Sequence, residues 1–179
     1  LFVSFNQLKD GLDWKTGFRY SVIWQIDKTR GYAGDTLAFN YWHNIEFNNK
    51  PVWNVCPIQG GSQPSGPLTY FLSVRSGDLE NDTVFLHTIS NSYQSGSALF
   101  SSKVLKTNLP YGLPPNALQK DGQYLATNDA RVLCGFYENN KIQYVQNCID
   151  AQNLTAGIYL GVVDAPSSLS PAVSGQLIS

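Results

Sequence analysis

The sequence predicts an all-β protein, an antiparallel β-sandwich of about ten short strands with little or no helix. Apolar side chains recur at every second position along several segments, whereas the helical spacing of three and four is nearly absent. Short stretches rich in Gly, Pro and Asn separate these segments, as turns do. We expect residues 1–165 to form a single sandwich domain and the Ser- and Pro-rich residues 166–179 to form a linker or a docked tail.

Two segments near the N-terminus show the alternation most clearly. In residues 18–26 the aromatic and aliphatic side chains occupy every second position, which predicts a strand with one apolar face against the core. Residues 37–47 predict a second, longer strand, in which Phe39, Tyr41 and Ile45 share the apolar face.

The remaining segments extend the same pattern. Further strands are predicted over 2–6, 52–56, 68–74, 83–89, 98–105, 123–127, 131–138, 141–148 and 157–164. Residues 108–115 contain three prolines, which donate no ladder hydrogen bonds, so we expect a loop or an edge-covering segment there. Together these strands are typical of an immunoglobulin-like or jelly-roll-like sandwich.

The three cysteines can be constrained by the register of one hairpin. A two-residue turn at Asn139-Asn140 pairs Glu138 with Lys141, and Cys134 then lies opposite Val145. Cys148 falls on the other face of this hairpin, which disfavours a bridge to Cys134. Either Cys56 pairs with one of the two, or all three thiols are reduced and buried; we favour the second alternative.

Composition excludes several classes of function. Twelve basic and thirteen acidic residues give a net charge of −1, with no basic cluster for a nucleic acid. No apolar run approaches the ~20 residues of a membrane span, so no membrane insertion is expected. The chain has no methionine, which suggests a processed or excised part of a longer protein. The sequons at Asn81 and Asn153 predict glycosylation and an extracellular or surface-exposed location.

Catalytic and metal-binding patterns are weak. His43 and His87 lie between apolar neighbours, and we expect both to be half-buried and hydrogen-bonded rather than to bind a metal. No nucleophile elbow is present, and Glu46 has no evident second carboxylate for glycoside hydrolysis. We therefore expect no enzyme activity, no cofactor and no metal.

The strongest positive signal is Trp42. By alternation it projects from the same face as Asn40, Asn44 and Glu46, where an indole flanked by amides suits a sugar ring or a protein surface. The alternative is that both faces of this strand are covered, so that Trp42 belongs to the core. Further surface aromatic candidates are Trp53, Tyr93 and Tyr111, of which Tyr111 joins the predicted ligand-binding set.

One family resemblance can be stated for residues 1–47. Trp24-Gln-Ile-Asp27-Lys-Thr29, then Gly34-Asp-Thr-Leu-Ala-Phe-Asn40, and Ser4-Phe-Asn6 earlier, resemble immunoglobulin-type modules of microbial surface adhesins of the fungal agglutinin-like type. This resemblance implies an adhesive surface module. Those adhesins have a fuller set of cysteines than this chain.

We therefore expect an extracellular or surface-displayed recognition module that binds a glycan or a host-cell protein. One alternative is the protruding spike domain of a non-enveloped viral capsid, for which a homodimer is expected. Another is a carbohydrate-active enzyme or its accessory carbohydrate-binding module.

Overall fold

The protein is built almost entirely from β-strands. The computed structural model describes residues 1–13, 16–61, 66–92 and 95–178. The ten longer strands in these residues are β1 (Phe2–Leu8), β2 (Phe18–Ile26), β3 (Phe39–Trp42), β8 (Thr69–Val74), β9 (Asn81–Ser90), β10 (Leu99–Tyr111), β13 (Val132–Glu138), β14 (Lys141–Asp150), β15 (Thr155–Asp164) and β16 (Ala172–Ile178). Two-residue strands are β4 (Glu46–Phe47), β5 (Lys50–Pro51), β6 (Cys56–Pro57), β7 (Gln59–Gly60), β11 (Ala117–Leu118) and β12 (Tyr124–Leu125). The helical elements in the described ranges are α1 (Lys28–Tyr32) and a 3₁₀ turn over Ser95–Ser97. The predicted all-β class is confirmed.

The strands form three main sheets. A three-stranded sheet has the order β1-β2-β3, a four-stranded sheet has the order β10-β9-β8-β6, and a five-stranded sheet has the order β16-β15-β14-β13-β7. Neighbouring strands in these sheets are antiparallel, except that β7 lies parallel to β13. The pairs β4-β5 and β11-β12 form two small hairpins.

The four-stranded sheet is the middle layer of the molecule. On one of its faces, Leu72 and Leu86 belong to a buried cluster shared with the five-stranded sheet. On the other face, Phe71 and Phe85 belong to a second cluster, shared with Ile23 of the three-stranded sheet. Because neither face meets water, β8 and β9 contain nearly continuous buried runs. The sandwich therefore has three layers.

The side of the three-stranded sheet that packs against the core is not the predicted one but the opposite one. Ser21, Ile23 and Gln25 of β2 are buried toward the middle sheet, although two of them are polar. Their polar groups are satisfied there: Ser21 Oγ donates to the Val52 carbonyl at 2.8 Å, and Gln25 Nε2 donates to the Ser92 carbonyl at 2.6 Å. Specific hydrogen bonds thus remove the cost of burying the polar side of the strand.

The predicted strand over residues 37–47 is interrupted. β3 ends at Trp42, and Asn44 adopts a left-handed conformation with φ of 54°, which breaks the alternation. Ile45 is buried in the second cluster, and Glu46 begins the small β4-β5 hairpin. The strand predicted over 52–56 is also wrong, since only Cys56 of that segment lies in a strand.

The C-terminal hairpin follows the predicted register. Glu138 pairs with Lys141 and Cys134 with Val145, as the Asn139-Asn140 turn requires. All three cysteines are free; Cys148 is buried and Cys56 half-buried, but Cys134 is exposed, so the expectation that all three are buried is wrong. Residues 172–178 of the expected linker or tail form β16, the edge strand of the five-stranded sheet.

Candidate functional site

The outward side of the three-stranded sheet carries a continuous group of aromatic side chains. The side chains of Phe5, Tyr20, Trp24, Phe39, Tyr41 and His43 form this group, here called the aromatic face. Each of the three strands contributes to it, because alternate residues of β1, β2 and β3 point away from the core. The side chains of the aromatic face line a cavity together with Val22, which is almost fully buried.

Ring contacts hold the aromatic face together. Trp24 stacks on Phe39 across β2 and β3, with centroids 5.1 Å apart and planes 13° apart. Phe5 meets Trp24 edge-on at 5.8 Å, and Tyr41 stacks on His43 at 5.3 Å. Each stacked pair covers one face of each of its two rings, and these contacts fix the rings relative to one another.

The aromatic face is exposed, and one charged group lies against it, since the guanidinium carbon of Arg19 is 5.1 Å from the Tyr20 ring centroid. Phe5, Phe39 and Tyr41 keep 42, 50 and 55 % of their surface open to solvent. Nearby apolar residues on the same sheet, Val3 and Leu8, are also exposed. A contiguous apolar patch of this kind marks an interaction surface on a soluble protein, whereas singly scattered apolar residues do not.

Trp42 does not lie on an open sheet face. Its side chain is half-buried, packs against the second core cluster and stacks on Phe100 with centroids 6.4 Å apart. Asn40 is half-buried beside it and donates through Nδ2 to Gln25 Oε1 at 2.9 Å. The predicted open indole is therefore not found, since Trp42 packs partly against the core, and the ligand-binding role of Trp42 stays a prediction.

The other predicted binding residues are dispersed. Asn44 and Glu46 are exposed, but they lie beyond the end of β3 and outside the aromatic face. Tyr111 is only 1 % exposed; its hydroxyl accepts from the Arg75 amide at 3.0 Å and donates to the Thr83 carbonyl at 2.5 Å. Burial raises the pKa of Tyr111 well above its ordinary value. Tyr111 is thus a core residue, and Tyr93 lies outside the described residues.

Sequence reasoning missed the aromatic face because it assigned the same residues to the core. Phe39, Tyr41 and Trp24 were visible as an alternating apolar set, and alternation does not reveal which side of a sheet is covered. The available signal was the large share of aromatic rather than aliphatic residues at those positions, since aromatic side chains are enriched at interfaces.

Both predicted glycosylation sites are in turns next to strands. Asn81 begins β9, is half-buried, and donates through Nδ2 to Asp78 Oδ2 at 2.7 Å. Asn153 is exposed in the turn between β14 and β15 and donates through Nδ2 to Asp150 Oδ2 at 2.7 Å. A glycan replaces one of the two hydrogens on Nδ2 and leaves the other for this hydrogen bond. Glycosylation of both sites stays a prediction.

A serine–histidine contact lies inside the molecule. His87 Nε2 is 2.8 Å from Ser73 Oγ, and Nδ1 is 2.7 Å from Ser102 Oγ. Burial lowers the pKa of His87 to about 3, so the imidazole is a weak base at neutral pH. His87 and Ser73 are also fully buried, which separates this pair from any substrate in solution.

Among residues 1–13, 16–61, 66–92 and 95–178, no group of three or more His, Cys, Asp or Glu side chains is placed to hold a metal ion. No helix in the same ranges is long and apolar enough to cross a membrane. Comparison of the chain with protein-family models, curated proteins and solved structures finds no match.

Proposed function

We propose that this chain is a recognition module, displayed outside the cell or on a virion, that attaches to a protein receptor through its aromatic face. The observation that supports this proposal is the exposed group of aromatic side chains on the outward side of the three-stranded sheet. The resemblance of residues 1–47 to adhesin modules points the same way, because β1, β2 and β3 lie within those residues.

The chemistry of the aromatic face favours a protein over a glycan as its partner. Protein interfaces bury aromatic side chains at their centre and exclude charged ones. A saccharide, by contrast, needs an open ring face and several hydrogen-bonding groups around it. On this face Trp24 stacks on Phe39 and Tyr41 on His43, so apolar ring surface predominates. The polar groups near it belong to Gln7, Tyr20, Tyr41, His43 and Arg19.

The exposed rings supply enough free energy for a measurable effect. A fully open aromatic side chain offers about 150–250 Å², so the exposed halves of Phe39 and Tyr41 offer about 100 Å² each. At ~25 cal/mol per Å², burial of each contributes about 2.5 kcal/mol. Since part of this is offset by the costs of association, we expect loss of both rings to weaken binding by about a hundredfold.

The experiment measures binding of the fluorescently labelled chain to a panel of cultured cells by flow cytometry. We expect binding that is lost after protease treatment of the cells, kept after glycosidase treatment, and lost in the double variant Phe39→Ser/Tyr41→Ser. The matched control is Leu133→Ser/Phe136→Ser, which removes two side chains of similar exposure, 52 and 44 %, from another sheet.

Two results contradict the proposal. The first is binding that the Phe39→Ser/Tyr41→Ser variant keeps, or that only the glycosidase removes. The second is a light-scattering mass of twice 19.8 kDa that returns to the monomer in this variant. That mass would assign the aromatic face to a second copy of the chain.

A further inference from the structure

A second candidate site is a cleft of about 810 Å³ between the end of β8 and the chain segment 113–129. None of the residues of the aromatic face lines it. Its volume lies within the range of about 300–1,000 Å³ that is usual for small-molecule sites. The side chains on which the argument rests are Trp53, Arg75, Asp78, Asn116, Asn128 and Asp129, and the cavity is called the Trp53 cleft below.

Trp53 is the aromatic residue that lines this cleft. Phe18 stacks on the indole with centroids 4.0 Å apart and planes 16° apart, so one face of Trp53 is covered. Phe18 lines a neighbouring cavity together with Trp53 but does not line the Trp53 cleft. Trp53 therefore lines the Trp53 cleft with a part of the indole that Phe18 does not cover. Val74 and Leu113 add apolar surface to the lining.

Two asparagine side chains that line the cleft make no hydrogen bonds to other described residues. Asn116 and Asn128 are both exposed, and neither side chain has a hydrogen-bonding partner among the described residues. A carboxamide donates and accepts at once, which matches the paired hydroxyls of a sugar. Asn128 has a left-handed backbone with φ of 63°, which holds it at a fixed position in the turn after β12.

The charges in the Trp53 cleft are balanced by the protein itself. Asp129 accepts from Arg131 Nε at 2.7 Å and from Nη2 at 2.8 Å, so its charge is neutralised within the chain. The Arg75 guanidinium donates to the carbonyls of Pro51 and Phe47 and lies 5.0 Å from the Phe85 ring centroid. With Asp129 paired, Arg75 and Asp78 leave one positive and one negative charge in the wall, so the cleft has no excess charge that would favour an ionic ligand.

We propose that the Trp53 cleft binds a neutral saccharide, with one sugar ring stacked on Trp53 and its hydroxyls bonded to the amides of Asn116 and Asn128. This site is separate from the aromatic face, so the chain carries two binding surfaces of different chemistry. A polyhydroxylated, uncharged ligand uses each of the features described: an aromatic ring, unpaired amides and a wall without excess charge.

The test uses the whole chain and an array of neutral, sialylated and sulfated oligosaccharides, followed by calorimetric titration of the strongest neutral binder. We expect binding of neutral oligosaccharides with no preference for the anionic ones. The double variant Asn116→Ala/Asn128→Gly should raise the Kd by about tenfold or more, since two hydrogen-bonding side chains are lost. Glycine keeps the left-handed backbone at position 128, so this variant should retain its melting temperature.

The matched control is Asn139→Gly, which replaces another exposed asparagine with positive φ, at the tip of the β13-β14 hairpin. It should leave the Kd unchanged, and so should Phe39→Ser/Tyr41→Ser on the aromatic face. The proposal is overturned if no neutral oligosaccharide binds, if sialylated or sulfated oligosaccharides bind more tightly, or if the Asn116→Ala/Asn128→Gly variant binds as the parent does. None of these results bears on receptor attachment through the aromatic face.

Discussion

A buried glutamine in the five-stranded sheet gives a sharp test of the core. Gln146 is fully buried, and neither its Nε2 nor its Oε1 atom has a hydrogen-bonding partner among the described residues. Each unsatisfied buried polar group costs about 1–3 kcal/mol relative to an apolar group of the same shape. Methionine has the length of glutamine and no polar amide, so Gln146→Met removes this cost with little change in volume.

We expect Gln146→Met to raise the free energy of unfolding by about 1–3 kcal/mol, measured by urea denaturation. For a chain of this size that corresponds to a rise in melting temperature of about 2–4 °C per kcal/mol. The matched control is Gln25→Met. Gln25 is equally well buried, but its Nε2 donates to the Ser92 carbonyl and its Oε1 accepts from Asn40.

The two glutamine variants should therefore move stability in opposite directions. Gln25→Met breaks two hydrogen bonds and leaves a buried carbonyl without its donor, which should lower the free energy of unfolding by about 1–3 kcal/mol. A loss of more than about 1 kcal/mol in Gln146→Met would refute the reasoning, because it would show that the Gln146 amide is satisfied, for example by buried water.

The remaining predictions concern pH, packing and thiol reactivity. Burial lowers the pKa of His87 to about 3, whereas an imidazole in the unfolded chain has its ordinary pKa of about 6.5. As the pH drops below about 6.5, the unfolded state binds a proton at His87 and the folded state does not, so the free energy of unfolding falls. Between about pH 6.5 and 5, this fall, measured by urea denaturation, should be smaller by about 2 kcal/mol in His87→Gln than in the parent chain; an equal fall in both would contradict the burial of His87. Trp42→Ala should lower the melting temperature by about 5–10 °C, as expected for a packed aromatic side chain; a shift under about 2 °C would contradict its place against the core. Cys134, which is exposed, should react with a thiol reagent faster than Cys56, because Cys56 is half-buried and burial raises its pKa to about 11; equal rates would contradict the described exposure.

Local signals in this chain predicted strands and turns well. The hairpin register followed from Asn139-Asn140, because a two-residue turn leaves one pairing for the residues on either side. Residues 18–26 form β2 with the predicted bounds, since alternation over nine residues is a strong signal. These features depend only on neighbours in sequence.

The assignment of faces could not be made in the same way. Alternation divides β2 into two sets of side chains, and the more apolar set, which includes Trp24, was expected inside. The protein instead buries Ser21 and Gln25, whose hydrogen-bond acceptors Val52 and Ser92 are distant in sequence. Which side of β2 is buried depends on these tertiary contacts, which no local pattern contains. The location of the aromatic face depends on the same contacts.

The arrangement of the three sheets also indicates which part of the molecule unfolds first. The five-stranded sheet shares the larger apolar cluster with the middle sheet, and the three-stranded sheet shares the smaller one. Backbone amides of β8 and β9 should therefore exchange with deuterium slowest of all, and those of β1 and β3 fastest among the longer strands. We therefore expect the three-stranded sheet to detach before the other two, which would uncover Phe71 and Phe85 on an otherwise folded molecule. Such a partly open form is prone to aggregate well below the temperature of complete unfolding.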